Sequence, residues 1–432
     1  MEEKYRHFLF GIVVAVGLCF IILVFFTGDE ALKDNPAFLN FFFFLLLIFL
    51  FLLIFHFVLE IIFVSSSTST KWHIVTECSP DQELRSKRKL LFHPEVTVFP
   101  NSVISYCEAV ERVEFAGSDC YFMAGSFEGC ANLEYIKLPH RLERIPDNMF
   151  RNCSSLKEII IPPTVKSIGK NAFDGCSKLT SVEIPAGVVD PGLFPAVTGE
   201  CRVVVTGEIT GSTVEKLRFM IDGMSAGAKI HLDLSQTTGL TTIAGFDGCR
   251  RLVSVVIPKG VSHISIRAFA NSGLTSVVIP SSVTSIGSEV FMGCSGLTSV
   301  YYQGDLDRWC AGFGDGNHDL MRHCENLYIN GKLVQGDLVI PAGVTSIDSD
   351  AFRGCSGLIS VEIPAGVTSI GCGAFKGCSG LSSMNFGYTN YWYYTSSLEN
   401  AANKTDGEKF DLNLTNVELV KKYADYYWYK KM

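Results

Sequence analysis

The residues best suited to chemistry gather in one stretch, where Cys310, His318, His323 and Cys324 carry the thiols and imidazoles that hold zinc. Their spacing matches no established finger. Overlapping them, Asp315, Asn317 and Asp319 imitate the opening of a calcium loop. The loop's sixth position is Leu320, where glycine is required, and its twelfth is Asn326, where a bidentate glutamate is required. Neither metal is expected here, and no cofactor is implied. A catalytic site finds no support: GxSxG, Walker and HExxH motifs are all absent, and the nine histidines are scattered without a matching nucleophile. His56 and Glu60 stand four residues apart, on one face of an apolar helix. Intramembrane ionisable groups are functional suspects. Glu60, however, lies within about two turns of the helix end and can reach the interface, and no further polar residues build a pathway beside it.

What must position these residues is a repeating scaffold. Cys130, Cys153 and Cys176 are 23 residues apart, as are Cys355 and Cys378; Phe127, Phe150 and Phe173 hold the same interval, and so do Pro139, Pro162 and Pro185. Ser167–Pro185 reads SIGKNAFDGCSKLTSVEIP, and Ser346–Pro364 reads SIDSDAFRGCSGLISVEIP. A period of this length on an apolar scaffold predicts a leucine-rich solenoid. Val182 and Ile184 alternate with polar residues, as in a strand buried on one face, and Pro185 ends it because proline cannot donate to the ladder. Ala172-Phe173 supplies a helical or 3-10 turn whose ring fills the core. Cysteines in register along such a stack are expected to be buried small apolar groups, not disulfides or metal ligands.

Ahead of the repeats, Phe8–Phe26 is an uncharged run of 19 residues, about 28 Å long as a helix, and Phe41–Val64 is longer still. Both are expected to span a bilayer. The first run fits a cleaved signal peptide poorly, because it is long and no small-x-small site follows. Lys4, Arg6, Lys71, Arg85, Lys87, Arg88 and Lys89 place the amino terminus and the repeats on the cytoplasmic side by the positive-inside rule. The net charge of -8 is spread out, with no basic stripe for nucleic acid.

The motif SIG-x-x-AF-x-GCS-x-LTSV-x-IP resembles the BspA-like (Treponema pallidum-type) leucine-rich repeats over about Phe92 to Asn385. That resemblance implies a surface protein that adheres to host matrix proteins or to other cells, and therefore repeats outside the cytoplasm, against the charge distribution. The fold class expected is a leucine-rich-repeat solenoid, α/β and horseshoe-like, of short parallel strands with 3-10 or short helical turns, behind two transmembrane helices. The chain divides into a membrane anchor (1–64, helices at 8–26 and 41–64) and a polar linker (65–91). Repeats at 92–195, 246–302 and 338–386 are separated by an irregular insert with one helix (196–245) and a second insert (303–337). The inserts, like the final KYADYYWYKK, resemble elaborations in spirochaete members. An aromatic-rich cap or tail (387–432) carries Tyr391–Tyr394 and Tyr423–Tyr429, clusters suited to protein or glycan contact, and the second is expected to cap the stack instead.

Binding is the chemistry this scaffold favours. Strand positions between the buried residues point to a concave face, and recurrent serines leave much of it featureless. The larger groups, Tyr135, Lys137, Glu158, Glu183, Tyr301, Glu362 and Asn385, are the candidate binding residues, with proteins as partners.

Overall fold

The computed structural model describes residues 72–76, 82–100, 103–313, 319–321, 324–386 and 392–396, together with 401, 403–404, 407–409, 418 and 422–430. The two apolar runs, with His56 and Glu60, lie outside the described residues. Among the described residues no helix is long and apolar enough to cross a membrane.

Each unit up to the second insert contributes one strand to a main sheet of thirteen. Its members run from His73–Val75 through Tyr135–Lys137, Glu158–Ile160, Ser181–Pro185 and Leu252–Val256 to Asn326–Ile329, all parallel, and an antiparallel strand, Lys332–Leu333, closes it. One side of the sheet is core: Ile136, Ile159, Val182, Val203, Leu232, Val255, Val277 and Val300 are all buried. Two-residue strands such as Ser167–Ile168 and Ser285–Ile286 form short ladders of their own. The sheet begins earlier than the sequence suggests. His73–Val75 pairs with Lys89–Phe92 inside the stretch read as a linker.

The phenylalanines stack one per unit. Ring centroids lie 5.0 Å apart from Phe99 to Phe127, 5.5 Å from Phe127 to Phe150 and 5.4 Å from Phe150 to Phe173, with planes within 19° of parallel. The file resumes at Phe246, Phe269 and Phe291, and again at Phe352 and Phe375. Beside it, the turn needs a left-handed residue. Gly175 has φ +77°, and a side chain there would meet Asn152 Oδ1 at 2.6 Å. Asn152, one unit earlier, holds φ 60° itself, a conformation that asparagine tolerates better than most residues.

The cysteines do more than fill space. Cys153 Sγ donates to Phe127 O at 3.1 Å, Cys176 to Phe150 O at 3.2 Å, Cys294 to Phe269 O at 3.0 Å and Cys378 to Phe352 O at 3.1 Å. Each thiol therefore serves a buried carbonyl one unit back, which corrects the reading of a purely apolar group. The in-register cysteines Cys130, Cys153, Cys176, Cys294 and Cys378 form no disulfides.

Both irregular stretches are absorbed into the stack. In the first, strands Glu200–Glu208 and Lys229–Thr238 pair with each other and continue the main sheet. Helix Gly211–Gly223 between them buries Val214, Leu217, Met220 and Ile221, taking the place of a phenylalanine turn. In the second, Trp309 and Phe313 of and beside helix Leu306–Ala311 pack against Tyr302 at 5.4 and 5.5 Å, and Trp309 Nε1 donates to Ala351 O at 2.9 Å. The hairpin Asn326–Leu333 ends the main sheet there. Gly336–Val339, Leu358–Ile363 and Ser383–Phe386 form a second, three-stranded one. Over the last units, Tyr427–Lys430 pairs antiparallel with Ser369–Ile370 and Trp392–Thr395, and Trp392, Trp428 and Tyr429 are buried.

Two outcomes test this core. Phe150→Ala should cost about 3–5 kcal/mol in denaturant unfolding; a loss under about 1 kcal/mol would mean that the ring file is not the core. Burial pushes Cys130, Cys176, Cys201, Cys249 and Cys378 up to about 12, above the ordinary thiol value of about 8.5. The unfolded chain then loses these protons first, so stability holds below about pH 8.5 and falls as pH rises toward 12. A melting temperature unchanged between pH 8 and 11 would refute the burial of these thiols.

Candidate binding face

Parallel pairing in register turns the outward strand positions into two rows. The first runs Lys89, Arg112, Tyr135, Glu158, Ser181, Arg202, His231, Ser254, Ser276, Ser299 and Asn326, each paired with the next. The second holds Ile74, Leu91, Glu114 and Lys137, then Ile160, Glu183, Val204, Asp233, Val256, Val278, Tyr301 and Tyr328. Most of these side chains are half-buried or exposed, as a solvent-facing sheet requires. Val204 departs from this, being only 5% exposed.

Five of the seven candidate residues, Tyr135, Lys137, Glu158, Glu183 and Tyr301, fall on this face. Glu362 and Asn385 are paired with each other on the three-stranded sheet, after Val339 in the same row. The seven therefore lie on two sheets and do not make a single cluster.

The amino-terminal end of the face holds its densest cluster. Arg112 stacks on Tyr135, its guanidinium carbon 4.1 Å from the ring centroid, and lies 5.6 Å from the Trp72 ring. Its Nη2 donates to Glu114 Oε1 at 3.2 Å. Ile74 and Ile160, 61% and 48% exposed, flank this group. Trp72, Ile74 and Arg112 escaped the sequence reading because their units lack the proline and phenylalanine phase. A signal was present, since Cys107 stands 23 residues before Cys130.

Farther along, Arg202 Nη2 reaches Asp233 Oδ2 at 2.7 Å and His231 Nδ1 lies 2.8 Å from Ser254 Oγ. Burial would raise Asp233, but hydrogen bonds from Ser235 and Arg202 outweigh it and hold the carboxyl below its usual range. Tyr301 stacks on Tyr328 with centroids 4.4 Å apart, and burial, followed by the neighbouring phenol, pushes Tyr301 up.

The metal-type side chains do not assemble. Cys310 and Cys324 are buried and pushed up to about 12 and about 11 by burial, and Cys324 Sγ donates to Thr298 O at 3.2 Å. His318 and His323 lie outside the described residues. Among the described residues, no three His, Cys, Asp or Glu side chains are placed to hold a metal ion.

On the opposite flank, a groove of about 580 Å³ opens between Tyr121–Phe122 and Arg144–Ile145, lined by Met123, Leu142, Arg141 and Asp147 among others. Pro146 lines it. At the equivalent position, Gly169 N donates to Ile145 O at 2.7 Å, but proline has no N–H to offer Phe122, so the short ladder breaks into separate pairs here.

The profile of the BspA type leucine-rich repeat region matches six copies, over residues 85–194, 232–310 and 328–419. No curated protein matches the chain. Among solved structures, a leucine-rich repeat protein from Bacteroides ovatus is 23% identical, covering 65% of this chain and 74% of that one, with a TM-score of 0.28. A leucine-rich cell surface protein from Faecalibacterium prausnitzii is 21% identical over 69% and 79%, with a TM-score of 0.25. The T. pallidum leucine-rich repeat protein is 19% identical over 63% and 78%, with a TM-score of 0.15. Scores this low carry no argument; the repeat profile does.

A double-mutant cycle on Arg112→Ala and Tyr135→Ala should return a coupling of about 0.5–1 kcal/mol in unfolding free energy. Strict additivity would show that the ring does not hold the guanidinium.

Proposed function

This chain belongs to the BspA-type leucine-rich repeat family, and on that premise we propose that it is a membrane-anchored protein that recognises other proteins at the cell surface. The observation that carries this reading is the cluster of Trp72, Arg112 and Tyr135 on an outward sheet face, flanked by exposed Ile74 and Ile160. Tryptophan, tyrosine and arginine are the types that dominate protein–protein hot spots. Here they are already stacked, so less side-chain freedom is lost on binding. Lys137, Glu158, Glu183, Tyr301, Glu362 and Asn385 extend the face along the stack. The anchor is the pair of apolar runs Phe8–Phe26 and Phe41–Val64, each long enough to span. Adhesion to host matrix proteins or to neighbouring cells is the role that membership in this family favours.

A second reading rests on the lysines and arginines that follow the apolar runs. They favour a cytoplasmic repeat domain that gathers partners at the inner side of the membrane. Protease added to intact cells separates the two. Removal of the repeats, followed with an antibody to the carboxyl terminus, is the expected result; full protection with digestion only after lysis would establish the scaffold instead.

A further inference from the structure

The carboxyl-terminal third of the main sheet face is chemically unlike the rest. Beyond the Arg202–Asp233 pair, its outward rows carry Ser254, Val256, Ser276, Val278 and Ser299 before reaching Tyr301 and Tyr328. None of these side chains is charged. They are also short, so they form a low floor, with the His231–Asp233 strand on one side and the stacked tyrosines on the other. Two parallel rings cover each other's inner faces. The outer face of Tyr301 is therefore turned toward Val278, on the neighbouring strand. Burial and the adjacent Tyr328 phenol push Tyr301 up.

We propose that this floor binds a neutral glycan. A hexopyranose lays its C–H face on Val278 and against the outer face of Tyr301, and its hydroxyls bond to Ser254, Ser276 and Ser299. Three features favour a sugar over a protein or a charged polymer. Serine hydroxyls both donate and accept, as sugar hydroxyls do, and they recur on three successive strands. Adjacent strands lie about 4.8 Å apart and alternate residues about 6.6 Å apart, so a floor three strands wide and two outward residues long has the footprint of a disaccharide. Serine and valine are under-represented in protein hot spots, and a charged ligand would lose hydration here without gaining an opposite charge. This site shares only Tyr301 with the protein-binding reading, which is centred on Arg112 at the other end of the face.

The test uses the full chain, solubilised in detergent, on immobilised neutral glucans, mannans and galactans, with polygalacturonate and heparin as charged controls. At least one neutral polymer should retain the protein, and retention should survive high salt, because no ion pair is involved. Tyr301→Ala and Val278→Asp should each weaken retention about tenfold or more. Ser276→Val should also weaken it while keeping the tyrosine wall, which guards against a folding defect in the first two. Arg112→Ala should leave it unchanged. The proposal is overturned if no neutral polymer is retained, if only the anionic controls are, or if all three floor variants bind like the wild type. Loss of protein adhesion in Arg112→Ala with glycan retention intact would separate this site from the proposed function; the converse pattern would sink the glycan site alone.

Discussion

The structure depends on satisfying one carbonyl per turn. Phe127 O accepts the backbone N–H of Cys130 in its own unit and the thiol of Cys153 in the next; Phe150 O does the same with Cys153 and Cys176, Phe269 O with Ser272 and Cys294, and Phe352 O with Cys355 and Cys378. The backbone N–H occupies one lone pair of each carbonyl, and the thiol, a weak donor, occupies the second. A unit cannot supply the second donor itself, because its own thiol points to the unit before. Stacking is thus favoured by hydrogen bonding as well as by the exposed apolar edge, and the chain returns a thiol to that carbonyl after 25 or 26 residues, one repeat plus the three-residue turn from phenylalanine to cysteine. The same requirement explains why a disulfide or a bound metal would be a loss: either would take away the proton that the carbonyl needs.

Because that contact lies on the turn side, the sheet's outer face is free of it. Every inward strand residue is held by the period, while the outward residues need only remain compatible with a parallel ladder. Arg112, Tyr135, Glu158, Ser181, Arg202 and His231 can succeed one another in a single row for this reason. The face is where chemical difference accumulates, and its two ends have diverged: cations and aromatics gather near Trp72, hydroxyls and small aliphatics between His231 and Tyr301.

The period made the repeat class, the buried cysteines and the strand alternation legible, because Phe, Cys and Pro keep phase in Ser167–Pro185 and again in Ser346–Pro364. Where the phase lapses, so did the reading. The strand His73–Val75 lies in a stretch whose composition looks like a linker, and Trp72 went unnoticed with it. The thiol bonds were not legible either, since a buried small residue and a weak donor look alike until the carbonyl one unit back has been placed. For the first insert the helix was visible from its pattern, but not that Glu200–Glu208 and Lys229–Thr238 extend the same sheet. That depends on long-range pairing, which local pattern does not encode. The candidate residues were named without their neighbours: Tyr135 without its partner Arg112, and Tyr301 without Tyr328.

The interruptions follow the same logic as the repeats. Pro146 removes one N–H beside the groove on the flank, and the main sheet is thinned to the single pair Tyr135 with Glu158 in the same unit, yet the phenylalanine file passes from Phe127 to Phe150 unbroken. The second insert is more drastic. The antiparallel pairing of Tyr328 with Leu333 ends the main ladder, and a new sheet starts at Gly336. What carries the stack across this break is Trp309, whose indole N–H bonds Ala351 O in the following unit while its ring packs on Tyr302 and Phe313. One side chain there both fills the core and supplies a donor, two tasks that phenylalanine and cysteine divide between them elsewhere. The insert is therefore a joint built to the solenoid's own rule, and it fixes Tyr328 at the end of the face, where the ring stacks on Tyr301.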